Sequence, residues 1–238
     1  MSERIFPVPP PIREALFYLF APQQYRNSGE RARQLADSKN KDCLVRIYLG
    51  RRQKRQASPN FKLRNFEMTV NEIEDLNLDA GKFAQSMAQT LSILHWGAQL
   101  DANDVEFVLG SAPLVKVAPT AADFKKRGPE DAKHIGQNFN FQARAVGLWL
   151  LDFNECKTYP DSAEGLAQLV KGFFWNDPYY PRPYSGNAKD EQLWQTFKQM
   201  YLETTEELYK AQLAKAASFI KEVEKEGKKR SKSGSLFG

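Results

Sequence analysis

Only two of the 238 residues are cysteine and two are histidine, so the chain is poor in the side chains that build disulfide frameworks and metal centres. Cys43 and Cys156 lie far apart, and two distant thiols do not make the framework of a small secreted domain. No disulfide is expected. A zinc finger needs four Cys or His ligands in closely spaced pairs, whereas Cys43, His95, His134 and Cys156 are scattered singly, so zinc is not expected either. Long apolar runs are also lacking. Nothing approaches the ~18 consecutive apolar residues of a membrane helix, and no membrane association is expected. The first eleven residues hold Glu3 and four prolines without an apolar stretch, unlike a secretory leader. A reducing compartment, cytoplasm or nucleus, is the expectation.

Hydrophobic residues make up 42% of the chain and charged residues 26%, values that suit a folded globular protein. At ~150 residues per domain the length fits one large domain with extensions. The formal net charge of +5 is unevenly spread. Residues 1–66 carry fourteen Lys/Arg against five acids, while 71–106 carry seven acids against Lys82 alone. Such asymmetry either attracts a phosphate-rich partner or lets two parts of the fold complement each other. The second alternative is the expected one.

Pro7–Pro11 makes a stiff entry, and the spacing of Ile12, Ala15, Leu16, Leu19 and Phe20 predicts a short helix. Gln23–Lys41 reads as surface helix or loop. Leu44–Leu49 reads as a buried strand before Gly50, and the basic run Arg51–Arg55 as an exposed loop. Phe83, Met87, Leu91 and Leu94 predict an amphipathic helix over Gly81–Trp96. Val105–Leu109 reads as a short strand closed by Gly110, 111–141 as an excursion, and Gly147–Leu151 as a second buried strand ending at Asp152. A helix is predicted over Ala163–Phe174, and a largely helical segment over Asp190–Glu224. Three prolines within Asn176–Pro183 exclude helix and predict an ordered loop or extended strip. The predicted organisation is an N-terminal extension (1–43), a mixed α/β domain (44–226) and a basic disordered tail (227–238).

At Leu44–Gly50, Phe61–Phe66, Leu94–Trp96 with Asp101–Gly110, Leu148–Asp152 and Asn176–Pro183, the chain resembles a fungal domain family of unknown function whose members are often labelled zinc-finger proteins. That label brings no activity with it. The same blocks resemble, distantly, the C-terminal lobe of kinase-type phosphotransferases. This implies an α+β fold, mainly helical, in a kinase-C-lobe-like arrangement with a few short strands. Kinase-type sites place a catalytic Asp five residues before a metal-holding Asn and a second metal-binding Asp after the next strand. The resemblance thus implies catalytic roles for Asp101 and Asp152 if the protein is active, with Glu106 and Asp152 as ligands of Mg²⁺. Asp152-Phe153-Asn154 stands where an Asp-Phe-Gly element would. The pattern departs sharply elsewhere: no Gly-x-Gly-x-x-Gly loop and no Val-Ala-Ile-Lys-like strand precede Leu44. Without the phosphate cradle most of the rate is lost, so a noncatalytic, pseudokinase-like binding or regulatory protein is expected.

Each residue has a plainer reading. Asp101 and Asp104 suit a turn, and Glu106 suits an outward-facing position in a strand. His95 suits a helix C-terminus, and Trp96 suits a core. Asp177, Tyr179, Tyr180 and Arg182 form either a ledge for a protein partner or a clamp onto their own core, the clamp being favoured. Arg51–Arg55 with the tail Lys228–Lys232 leaves nucleic-acid association open, although no recognisable reading module accompanies them. The metal-dependent enzyme is the alternative function, and a protein or small ligand is the expected partner.

Overall fold

The computed structural model describes residues 4–53, 55, 58, 60–115 and 139–233. Its class is α+β: mainly helical, with one small mixed sheet of four strands. In chain order come α1 (Pro10–Phe20), α2 (Ser28–Ala36), α3 (Ser38–Lys41), β1 (Val45–Tyr48), β2 (Phe66–Thr69), α4 (Val70–Asp75) and α5 (Ala80–Ser92). The last of these runs on as one π-helical turn, Ile93–Gly97. After it come β3 (Glu106–Val115), β4 (Phe139–Leu151), α6 (Ala163–Trp175), α7 (Ala188–Leu208) and α8 (Leu213–Ser233). The sheet order is β2-β1-β3-β4. Among the described residues no helix is long and apolar enough to cross a membrane.

Two compact units form, each from interleaved stretches of chain. The first takes its described residues from Met1–Val45, Ala57–Phe66 and Leu109–Trp149. Here α1 starts at Pro10, whose fixed φ suits a first helical position, and buries Leu16 and Phe17. Phe17 meets Phe61 edge-on at 5.5 Å and Phe20 lies 5.3 Å from Phe66. Asn40, fully buried in α3, donates to the Gln34 carbonyl of α2 at 2.8 Å and accepts from the Leu63 amide at 2.7 Å, which ties these two helices to the stretch before β2.

The second unit takes Arg46–Gln56, Glu67–Val108 and Leu150–Gly238. Its core is aromatic. Phe173 of α6 stacks on Tyr180 at 5.0 Å and meets Trp194 and Phe197 of α7 and Phe219 of α8 at about 6 Å. The helix α5 packs along α7, where Ser92 Oγ and Thr205 Oγ1 share a buried hydrogen bond of 2.8 Å.

Several predicted boundaries shift, each for a physical reason. Gly110 does not close its strand; β3 continues to Val115 because a Cβ there would stand 2.6 Å from Ile5, so glycine admits the N-terminal segment against the strand. In the predicted excursion 111–141, residues 111–115 belong to β3 and 139–141 to β4, whose start lies well before Gly147; residues 116–138, with His134, lie outside the described residues. The basic tail is helical as far as Ser233. Its Gly227 sits where a Cβ would meet Pro183 at 2.7 Å, and Arg230 lies 4.3 Å from the Phe174 ring centroid. Residues 234–238 are outside the described residues.

The strip Asn176–Pro183 is a loop of turns and bends, not a helix, as its prolines require. It continues the pairing beyond β1, the Leu49 amide donating to the Tyr179 carbonyl at 3.1 Å and Gly50 to that of Pro178 at 2.8 Å. A Cβ on Gly50 would stand 2.5 Å from the Tyr180 carbonyl oxygen, a backbone atom that cannot swing aside. Gly50→Ala is therefore expected to destabilise the protein by about 1–3 kcal/mol, read as a lower urea midpoint at unchanged slope.

Candidate functional site

Asp101 begins the turn between α5 and β3, and its side chain points into the protein, 4% exposed. One carboxylate oxygen accepts from the amides of Lys157 (2.9 Å) and Asn103 (3.2 Å), the other from Gln168 Nε2 (2.7 Å). The turn needs this support. Gln99, Ala102 and Asp104 all have φ between 53° and 64°, a left-handed conformation that costs non-glycine residues roughly 1–2 kcal/mol each. Asn176 clamps the far side, donating to the Ala102 carbonyl at 2.8 Å and accepting from the Asp104 amide at 2.6 Å. Gly172 lets α6 approach so closely that a Cβ would stand 2.7 Å from the Asp101 carbonyl oxygen.

Glu106 stands at the start of β3, half-buried, with Arg46 of β1 at 2.7 Å. Burial raises its carboxyl above the usual range against the pull of Arg46, and the neighbouring Asp152 and Asp104 charges push the same way. Asp152 follows β4 as the sequence suggests, exposed and with φ of 68°. Asp104, Glu106 and Asp152 thus share one electrostatic neighbourhood, and the Asp101 charge joins Asp104 and Asp152 at Cys156. Among the described residues no three His, Cys, Asp or Glu side chains are placed to hold a metal ion. The Cys156 thiol lies 3.5 Å from the Asn103 carbonyl, and burial together with the Asp101, Asp104 and Asp152 charges pushes it up to about 11, far from a reactive thiolate.

His95 sits inside the second unit rather than at a ligand-accessible helix end. Its Nδ1 shares a 2.9 Å hydrogen bond with the Tyr201 hydroxyl, Phe219 packs edge-on at 4.9 Å, and the ring is fully buried. Burial lowers its pKa to about 3, so the ring is neutral at physiological pH. Trp96 is core, as its alternative reading held.

The four residues of the strip turn inward. Arg182, 2% exposed, donates from Nε to Asp177 at 3.0 Å and from Nη1 to the Phe173 carbonyl at 3.2 Å, with its guanidinium 5.0 Å and 4.9 Å from the Phe173 and Phe174 rings. Tyr180 stacks on Phe173, and Tyr179 meets Tyr48 edge-on at 5.1 Å. These contacts make the strip a clamp on its own core.

The basic loop is not the exposed one expected. Arg52 forks onto Glu74 at 2.8 and 2.9 Å and onto Asp190 at 2.6 and 3.0 Å, and these hydrogen bonds, to Glu74 first, raise its already high pKa. Arg55 pairs with Glu72 at 2.6 Å. The basic first third and the acidic stretch after it meet here as complementary charges. Lys54 lies outside the described residues.

Sequence reasoning missed a concavity. Between α6 and α8 runs a groove of about 690 Å³ with Leu166, Val170 and Phe174 among its lining and Lys171, Lys225 and Arg230 on its rim. A second hollow of about 300 Å³, lined in part by Trp96, Tyr159 and Leu169, shares Ala163 and Leu166 with it. A signal was present: α6 has only Glu164, Gln168 and Lys171 as polar side chains, more apolar surface than one buried face uses.

The fold class is α+β, and of the four acids Asp101 is the one held by several hydrogen bonds from its own chain. Compared with known proteins, residues 148–213 match the domain-of-unknown-function family DUF3669, described as "Zinc finger protein". The matched stretch contains Cys156 and no histidine, so it does not hold the ligands of a zinc finger. No curated protein and no solved structure matches the chain.

Two outcomes separate structural acids from catalytic ones. Asp101→Ala leaves the Lys157 and Asn103 amides without their acceptor and Gln168 with the Thr158 carbonyl alone, and is expected to cost about 2–3 kcal/mol in chemical denaturation, whereas exposed Asp152→Ala should stay within about 0.5 kcal/mol. His95 gives a pH signature. Its folded-state pKa lies below the unfolded value of 6.5, so between about pH 6.5 and 3 the unfolded chain binds more protons and stability falls as pH falls. The slope should reach about 1.4 kcal/mol per pH unit, vanish above about pH 7, and shrink in His95→Gln.

Proposed function

We propose that the chain is a noncatalytic binding module, a regulatory scaffold that docks a protein partner. The observation that carries this is the state of Asp101: the residue at the proton-accepting position of a kinase-type site is buried and has both oxygens engaged by its own chain. A group held that way is committed to its own chain rather than presented to a substrate hydroxyl. Descent from a kinase-type C-terminal lobe that lost its phosphate cradle, within a fungal family, is part of the proposal; residence in the cytoplasm or nucleus is another. The groove supports the binding role, because its volume and apolar lining are those of a recognition surface.

The metal-dependent enzyme is the second reading, favoured by the shared neighbourhood of Asp104, Glu106 and Asp152. Nucleic-acid association through Arg51–Arg55 loses its motive, since Arg52 and Arg55 already hold carboxylates. Thermal denaturation with ATP, ADP and GTP, each with and without Mg²⁺ or Mn²⁺, tests the choice. A ligand of the folded state at a hundredfold excess over its dissociation constant adds about 2.7 kcal/mol. No shift is expected. A metal-dependent nucleotide shift that disappears in Asp152→Ala would overturn the noncatalytic reading and restore the Mg²⁺ site.

A further inference from the structure

The groove between α6 and α8 is built by two helices of opposite character. From α6 come Ala163, Leu166, Ala167, Val170 and Phe174, at spacings of three and four that set them along one side of the helix. Trp175, 64% exposed, continues the row of Ala163, Ala167 and Lys171 at the helix end. From α8 come Lys225, Lys229 and Arg230 with Glu222 and Glu226.

The charge on this rim is one-sided. Four cations, Lys171 included, face two carboxylates. Both carboxylates are held by cations of α8 itself, Glu222 by Lys225 at 2.9 Å and Glu226 by Arg230 at 2.9 Å and Lys229 at 3.7 Å. Lys171 has no ion-pair partner among the described residues. An occupant with carboxylates on its flanks would meet net positive charge along the rim, and a basic occupant would be repelled.

The apolar floor sets the rest of the occupant. Leu166, Val170 and Phe174 offer no side-chain hydrogen-bond donor to a phosphate or a base, so charge alone would hold a nucleic acid at the edges. The eleven rises of 1.5 Å between Ala163 and Phe174 give a floor about 17 Å long, three turns of helix. The i, i+3, i+4 texture of the wall matches the ridges of a helix laid into it, with anchors at i, i+3 or i+4 and i+7. A second copy of the same surface would set lysine against lysine.

We propose that the α6–α8 groove docks an amphipathic helix of about three turns from a protein partner, apolar on one face and flanked by aspartate or glutamate. The inference rests on the noncatalytic binding role and gives that role its site and its partner chemistry.

The test is a displayed library of random 16-residue peptides panned against the full chain, with Ala167→Glu as the counter-selection. Ala167 is exposed, so its replacement should leave the melting temperature within about 2 °C. Selected peptides should carry acids and large apolar residues at helical spacing. In fluorescence anisotropy they should bind the native chain, lose binding to Ala167→Glu, and weaken about fivefold or more with Lys171→Glu. Selection of no peptide that discriminates Ala167→Glu, or of peptides that are basic or lack helical spacing, would overturn the proposal. Two further results would also overturn it: sedimentation showing self-association that Ala167→Glu abolishes, and binding of a 20-base-pair DNA that the same variant abolishes. These outcomes are independent of the nucleotide test, so an empty groove with no nucleotide shift would leave the noncatalytic role standing and remove only its site.

Discussion

The second unit depends on one arrangement: the Arg182 guanidinium held between the faces of Phe173 and Phe174, with Asp177 closing the charge. A buried cation is costly unless paired and hydrogen-bonded, and here the carboxylate, the Phe173 carbonyl and two ring faces together replace water. The strip that carries Arg182 also supplies Tyr180 to the stack on Phe173 and backbone carbonyls to the end of β1. Gly50 on one side and Gly227 on the other are the two places where a side chain would keep that strip from seating. Helix, strand end and C-terminal helix therefore converge on eight residues without regular structure.

The acids follow from the same economy of placement. A turn with three left-handed non-glycine residues survives only where its surroundings overdetermine it. Asp101 and Asn176 do so from opposite ends, and Gly172 brings α6 against the turn's backbone. This turn is the joint that fixes α5, β3 and α6 in one geometry.

How much of this was legible depended on how local the cause was. The helix of Gly81–Trp96 and the strand before Asp152 announce themselves by apolar spacing within a few residues, and both are present. The strip of Asn176–Pro183 was legible as ordered because proline restricts its own backbone. Asp101 was not, because its partners Lys157 and Gln168 lie 56 and 67 residues away and no local pattern names them. Gly110 and Gly227 misled for a shared reason: glycine marks a chain end when it relieves φ, and a close approach when it removes a Cβ, and only the second applies at both. In α8 the spacing of Ala216, Phe219, Ile220 and Val223 was there to be read, but a composition rich in Lys and Glu hid it. The ion pairs of Arg46, Arg52 and Arg55 with Glu106, Glu74 and Glu72 join the basic and acidic stretches within the fold.

Both walls of the groove are seated on the rest of the fold by close contacts. Gly165 and Gly172 seat α6 directly on backbone atoms of Pro160 and Asp101, and α8 is pinned by Gly227 against Pro183 and by Arg230 over Phe174. A cleft with rigid walls changes shape little on occupancy, so the loss of conformational freedom on association falls almost wholly on whatever enters. Discrimination among entrants is then a matter of how readily each already holds a helical shape in solution, and stiffening an entrant should lengthen its residence without any new contact.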